Sequence, residues 1–330
     1  MTKRNGYVLS KTLTNVTSAY STPDQTGYAV ANGILYRILP DLTVRALAES
    51  MATEFTTFGN ATFTHDGLRI EHDSVTDLKI SAPEHPLKLT VIDGTLPAGV
   101  YSATYCYRSV TGMEGGSAPI ATLELMTAGS IAIAPVTPPA GYTAVIYVTD
   151  ANGTVYYDND GIALNPLQIL AKSFPEDCEK IAYHQGKLWL SKALANGSSI
   201  IWFSKPFHYH LYDPQEYMII SGRVLDMAST EQGLVIGTDA AIYAYSENAL
   251  QKLADYGVVK GRPFTKLPDG SLLMFTLRGV CAALPFKNLS EKKVQFAPGV
   301  QCSTAIVQQN GLDKFVALSD GTGVAFNSRY

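Results

Sequence analysis

The chain has 330 residues, of which 16% are charged, with a formal net charge of −4 and a pI near 5.9. This balance argues against a phosphate-binding surface as the main function, because direct nucleic-acid readout calls for clustered lysine and arginine. No apolar run reaches the roughly 18 residues of a membrane span, and the first 16 residues contain no apolar core of a secretory signal.

A glycine turn flanked by alternating or β-branched residues recurs along the chain. The stretches are YAVANGILYRI (28–38), ATFTHDGLRIEH (61–72), IAYHQGKLWLS (181–191), ASTEQGLVIGTDAAIYAYS (228–246), TKLPDGSLLMFTLRGVCAAL (265–284) and IVQQNGLDKFVALSDGTGVAF (306–326). Asn-Gly and Asp-Gly supply the positive φ angles of tight hairpins, so each stretch predicts a pair of antiparallel strands.

The spacing of these turns predicts a β-propeller. The turn glycines are Gly33, Gly67, Gly186, Gly233, Gly270 and Gly311, with gaps of 34, 119, 47, 37 and 41 residues. Four of the five gaps lie near 40, the length of a four-stranded blade. We therefore expect an all-β fold with about six or seven blades. A seventh blade would lie in 41–58 or 286–302, and residues 7–13 would close the ring beside 323–330.

The gap of 119 residues equals one blade and about 80 further residues, which predicts an insertion. Residues 85–160 contain alternating strands and closely spaced turns, as in VYSATYCYRSV (100–110), and this pattern is typical of a small β-sandwich. The predicted domains are thus 1–84, the first part of the propeller; 85–160, the sandwich; and 161–330, the remainder. Only 41–55 and 165–174 are candidates for a short helix.

The stretch IIWFSKPFHYHLYDPQEYM (200–218) concentrates aromatic residues and histidines. We expect a blade strand that ends at Ser204–Pro206, followed by a loop or edge strand that covers a blade edge or forms a subunit contact. The candidate interface or ligand-contact residues are Trp202, Phe207, His208, Tyr209, His210, Tyr212 and Tyr217. His208 and His210 share a face and could bind a metal with Asp213, but zinc needs three or four protein ligands, so we predict no metal.

Other polar groups give no clear catalytic pattern. Asp66, Glu71, His72 and Asp73 lie where a turn meets a strand end, and acidic side chains are common at such turns. Asp226, Asp239 and Asp269 stand near recurring blade positions, as the carboxylates of a propeller glycosidase would, although blade turns also explain them. We predict no enzyme activity, no catalytic residues and no cofactor, with a glycosidase as the enzymatic alternative. The four scattered cysteines predict reduced thiols and disfavour a zinc ribbon.

Two parts of the chain resemble tail proteins of bacteriophages. AGVYSATYCYRSVTGMEGGSAP (98–119) and YTAVIYVTDANGTVYY (142–157) resemble the fibronectin type III-like modules inserted in phage tail proteins. HQGKLWL (184–190), WFSKP (202–206) and LVIGTD (234–239) are similar to the propeller of tail nozzle and tail tubular proteins.

The resemblance implies a structural virion protein of the tail tip, baseplate or nozzle. It would act by assembly with other tail proteins, as a homo-oligomeric ring or another multi-copy arrangement, and would be assembled in the host cytoplasm. The alternative is a module that binds a host-surface receptor or glycan, with tyrosine and tryptophan rings stacked on sugars. Glycan binding, or co-purification with tail proteins, would distinguish the two.

Overall fold

A computed structural model describes residues 13–22, 26–291, 299–309, 312–319 and 322–327. These residues fold almost entirely into antiparallel sheets, which confirms the all-β class. Of the two helix candidates, 41–55 forms strands, and 165–174 contains the 3-10 helix Pro166–Gln168, which Asn165 and Gln168 cap reciprocally. Within the described ranges no helix is long and apolar enough to cross a membrane.

The first 80 residues contribute two four-stranded sheets. The first consists of β1 (Val16–Ser21), β2 (Gly27–Ala31), β3 (Ile34–Ile38) and β4 (Val44–Glu49). The second consists of β5 (Phe55–Phe58), β6 (Ala61–Thr64), β7 (Leu68–Glu71) and β8 (Ser74–Asp77). Each strand pairs with the next along the chain. The segment 41–58 thus supplies β4 and β5 to these sheets and forms no further sheet.

The next seven strands pair only with one another, and we call them the inserted module. They are β9 (Leu89–Leu96), β10 (Gly99–Ser109), β11 (Glu114–Ser117), β12 (Ala121–Leu125), β13 (Gly129–Ile133), β14 (Tyr142–Thr149) and β15 (Tyr156–Tyr157). β10, β11, β12, β14 and β15 form one sheet and β9 and β13 another, with a shared apolar core that includes Leu89, Tyr105 and Ile133. The predicted domain limits, residues 85 and 160, enclose all seven strands. The exact domain boundaries remain a prediction.

Two more sequential sheets come after the module. The third consists of β16 (Lys180–His184), β17 (Lys187–Ala193), β18 (Ser198–Lys205) and β19 (His208–Ser221). The fourth consists of β20 (Val224–Thr230), β21 (Gly233–Thr238), β22 (Ile242–Ser246) and β23 (Ala249–Ala254). Both are antiparallel, with β16 and β20 at one edge and β19 and β23 at the other.

The last two sheets share one extended segment. Its first part is β24 (Lys260–Arg262), and its second is β25 (Phe264–Lys266). β25 begins the fifth sheet with β26 (Leu272–Thr276), β27 (Gly279–Ala282) and β28 (Lys287–Asn288). β24 instead pairs in parallel with β29 (Gln301–Gln309), which continues through β30 (Leu312–Ser319) and β31 (Thr322–Asn327) as the sixth sheet.

The glycine turns mark one hairpin in each of the first five sheets, at different positions. Gly33 and Gly67 connect the second strand to the third, whereas Gly186, Gly233 and Gly270 connect the first strand to the second. All five have φ angles between +75° and +155°. Three parts of these predictions lie outside the described residues. They are Gly311, the segment 1–12 with most of the predicted closing strand, and 292–298 within the second candidate for a seventh blade.

Apolar clusters join each sheet to the next along the chain. They contain Leu35 and Ile70 between the first and second sheets, Phe63 and Leu190 between the second and third, Trp189 and Ile236 between the third and fourth, Val235 and Met274 between the fourth and fifth, and Phe275 and Phe315 between the fifth and sixth. The core therefore consists of consecutive layers between neighbouring sheets.

Candidate functional site

The aromatic stretch forms the β18–β19 hairpin at the edge of the third sheet. β18 ends at Lys205, as predicted, and β19 is the edge strand. Phe207 lies in the hairpin turn with a φ of +58°, its ring is 69% exposed, and its N–H donates to the carbonyl of Gly186 (2.8 Å). The hairpin is therefore fixed by the backbone of the neighbouring turn.

The two histidines connect this hairpin to the inserted module and to the segment after it. His210 Nε2–H donates to the carbonyl oxygen of Glu114 (2.9 Å). His208 donates from Nδ1 to the carbonyl of Pro206 (2.9 Å), and its Nε2 accepts from the Asn165 side chain (3.0 Å). Burial lowers the pKa of His210 to about 4. The His210 ring is thus a neutral hydrogen-bonding group near pH 7. Within the described ranges no group of three His, Cys, Asp or Glu could hold a metal.

Most of the remaining candidates belong to the core and not to a free surface. Tyr209, on the opposite face of β19, packs edge-on against Phe63 of the second sheet (ring centroids 4.8 Å apart). Tyr212 is buried against Phe174, and Trp202 packs on the same cluster. Of the seven candidates only Phe207 and Tyr217 are exposed. The stretch is largely an intramolecular junction.

Glu114 of the module is the polar centre of this junction, and the sequence analysis did not single it out. One carboxylate oxygen accepts from Arg108 (Nη2, 2.6 Å), and the other accepts from the Tyr147 hydroxyl (2.8 Å) and from Gln168 (3.2 Å). The Glu114 carbonyl accepts from His210 (2.9 Å). Glu114 therefore joins the module, the 3-10 helix and the third sheet, which lie far apart in the sequence.

A second candidate site lies where the first strands of the sheets meet. A cavity of about 440 Å³, the first cavity, is lined by residues at or just before the starts of β1, β5, β16, β20, β24 and β29. A second cavity of about 450 Å³ is lined by residues of β1, β5, β16, β20 and β25. Together the two cavities involve all six four-stranded sheets.

Three of the charged side chains at these cavities influence one another. Lys180 forms an ion pair with Glu54, which lines both cavities. Asp226 lines the second cavity and accepts from the Met227 N–H (2.9 Å). Burial raises the pKa of Asp226 to about 7, although the Lys180 charge opposes this rise. Such a carboxyl exchanges a proton near neutral pH, which is a property of acid–base groups.

The structure does not bring the other predicted acidic residues into this site. Asp239 accepts from the Arg223 N–H (2.9 Å) and Asp269 from the Ser271 N–H (2.9 Å). Asp66 accepts from Ser50 (2.8 Å), and Asp73 pairs with two arginines of the first sheet. These carboxylates stabilise turns and connections between sheets, as turn residues do.

Comparisons with known proteins identify no family. No protein family and no curated protein matches the chain. Among solved structures, the extracellular domain of a candidate hybrid two-component system from B. thetaiotaomicron is similar with 12% identity and a TM-score of 0.34, covering 97% of this chain and 40% of that one. A candidate 6-phosphogluconolactonase from Bacteroides uniformis shows 13% identity and a TM-score of 0.34, covering 97% and 86%. Likeness at this level carries no argument about function.

Proposed function

We propose that the six four-stranded sheets form the blades of a β-propeller and that the module is a fibronectin type III-like sandwich inserted between the second and third blades. Two observations support this arrangement. Apolar clusters join the sheets in chain order. Arg262, the last residue of β24 in the sixth sheet, donates to the Ala19 carbonyl of the first sheet (3.2 Å), where a ring would close.

The function that this architecture supports best is structural: a component of a bacteriophage tail that acts by protein–protein assembly in the virion. The observation that carries this proposal is the position of the module, between two of the repeated sheets and pinned by Glu114 and His210. The same arrangement is implied by the sequence resemblance to tail proteins. The partners would be other tail proteins or further copies of this chain.

The module offers side chains for such contacts. Val91 and Ile92 on β9 and Met126 after β12 are 56%, 49% and 80% exposed. Val91 and Ile92 are consecutive in β9, so apolar side chains are exposed on both faces of this strand, and exposed apolar surface often marks a protein–protein contact. The edge of the two-stranded sheet therefore gives the assembly proposal a testable surface.

The test is to replace Val91 and Ile92 by Asp and to analyse particles purified from cells that produce the phage. We expect the wild-type chain in the particles and the variant largely absent from them. Val110→Asp, at a still more exposed position (89%) in a turn of the same module, is the control and should be incorporated normally. Absence of the wild-type chain from purified particles would refute the proposal.

A second candidate function, recognition of a host-surface glycan, is favoured by one pocket. A cavity of about 380 Å³ is lined by Trp202, Tyr212, Asp213 and Lys192, a combination of rings and polar groups suited to a sugar. Because Tyr212 is buried, its replacement would damage the fold, and Trp202→Leu is the better variant. Binding of the wild type on a glycan array, with loss in Trp202→Leu and none in Tyr217→Leu, would support this function.

A further inference from the structure

The first cavity carries a positive charge although the whole chain carries −4. Its lining includes four cationic side chains, Lys180, Arg223, Lys260 and Arg262, and two carboxylates, Glu54 and Glu179. The imbalance amounts to two positive charges within one concave space. A concave wall focuses such a field and raises the local concentration of anions.

Both carboxylates of this cavity are already paired. Glu54 binds Lys180, and Glu179 accepts from Nε and Nη2 of Arg223 (both 3.0 Å). In the part of the chain that the structure describes, neither Lys260 nor Arg262 has a carboxylate within 4.0 Å. These two cations therefore account for the unbalanced charge.

The backbone of β24 directs the two cations to the same side. Lys260 and Arg262 are two residues apart in β24, and both line the first cavity, so they present one face of the strand to it. Gly261 between them has a φ of +112°, and a Cβ there would lie 2.1 Å from the Cys302 carbonyl oxygen. The parallel pairing with β29 and the Arg262 bond to Ala19 hold this face towards the cavity.

We propose that the first cavity binds a small anion with phosphate or carboxylate groups, held by Lys260 and Arg262. The volume of about 440 Å³ is within the range of small-molecule sites. Beside the Nη2 donor bonded to Ala19, the planar guanidinium of Arg262 has further N–H donors that suit such anions, and Lys260 supplies a compact charge. The proposal depends on the cavity alone and is independent of the role in a phage tail.

The test is titration calorimetry of the whole chain with inorganic phosphate and, separately, with citrate, in a low-salt buffer. We expect saturable binding of at least one anion, weakened at least tenfold in the double variant Lys260→Gln and Arg262→Gln. The double variant Lys88→Gln and Lys287→Gln removes the same charge at two exposed positions outside the cavity, and it should bind like the wild type.

The two titrations show whether phosphate or carboxylate is preferred. Lack of saturable binding of both anions by the wild type would overturn the proposal, and so would equal affinity in the cavity variant. If the double variant fails to fold, Lys260→Gln alone decides the question, because this exposed side chain has no ion pair among the described residues. Loss of binding with a normal unfolding transition supports the site.

Discussion

Asp226 illustrates how a single carboxyl at the centre of the sheets couples charge to stability. It is partly buried in the wall of the second cavity, and the neighbouring positive charge belongs to Lys180, which is already paired with Glu54. Burial disfavours the ionised carboxylate, so its pKa rises to about 7. The folded state therefore binds a proton at pH values where the unfolded chain has released it.

We predict that Asp226→Asn stabilises the protein above pH 7. With a folded pKa above the unfolded value, the carboxyl favours folding below the unfolded pKa, and this contribution is lost as pH rises through about 7. The variant should gain about 2–4 kcal/mol at pH 8, since one pKa unit corresponds to about 1.4 kcal/mol, and little at pH 4. Urea unfolding at both pH values measures this, and Asp269→Asn, at an exposed turn, should give no gain.

We predict the opposite pH dependence for His210. Its pKa is lowered to about 4 by burial, so its contribution to folding is complete above the unfolded pKa near 6.5 and is lost as pH falls towards 4. His210→Gln should therefore reduce the loss of stability between pH 7 and pH 4 by about 3 kcal/mol. Unfolding curves of both proteins test this, with the exposed His85→Gln as control. An unchanged pH dependence in His210→Gln would contradict the prediction.

At the scale of elements, the β18–β19 hairpin shows what sequence patterns can and cannot reveal. Strand β18, its end at Lys205 and the shared face of His208 and His210 follow from alternation and from the position of Pro206. The residue that this face contacts cannot be predicted in the same way, because Glu114 is 96 residues away from His210 and only the folded chain brings them together. The same holds for Lys180 and Glu54, which are 126 residues apart.

We predict that Glu114→Ala loosens the module. Three donors, from Arg108, Tyr147 and Gln168, lose a charged acceptor, which should cost about 2–4 kcal/mol. Limited proteolysis should then cut the exposed turn 158–162 at a lower protease concentration than in the wild type. Glu124→Ala, on an exposed position of β12, is the matched control and should resist cleavage like the wild type.

At the scale of the molecule, glycine spacing was informative because each sheet needs at least one tight hairpin. It predicted six or seven repeated units and one insertion, and six four-stranded sheets and a seven-stranded module are present in the described residues. It could not predict the parallel pairing of β24 with β29. That pairing depends on Gly261, whose role is visible only when the backbone of Cys302 lies against it.

We predict that Gly261→Ala destabilises the sixth sheet before the others. The added Cβ would overlap the Cys302 carbonyl oxygen, so β24 and β29 must separate. Hydrogen exchange should increase most in β29 and β30, and the free energy of unfolding should fall by more than about 3 kcal/mol. Gly270→Ala also places a side chain at a positive φ (+84°) but in open space, so it should lose only about 1–2 kcal/mol.

The shared segment 260–266 also has a consequence for synthesis. During translation β24 leaves the ribosome some forty residues before β29, the strand it pairs with. The hydrogen-bonding edge of β24 thus stays unpaired in the nascent chain while the fifth sheet is synthesised. A chain released before residue 301 would expose that unpaired edge, so β24 can complete its pairing only after residues 301–303 have been synthesised.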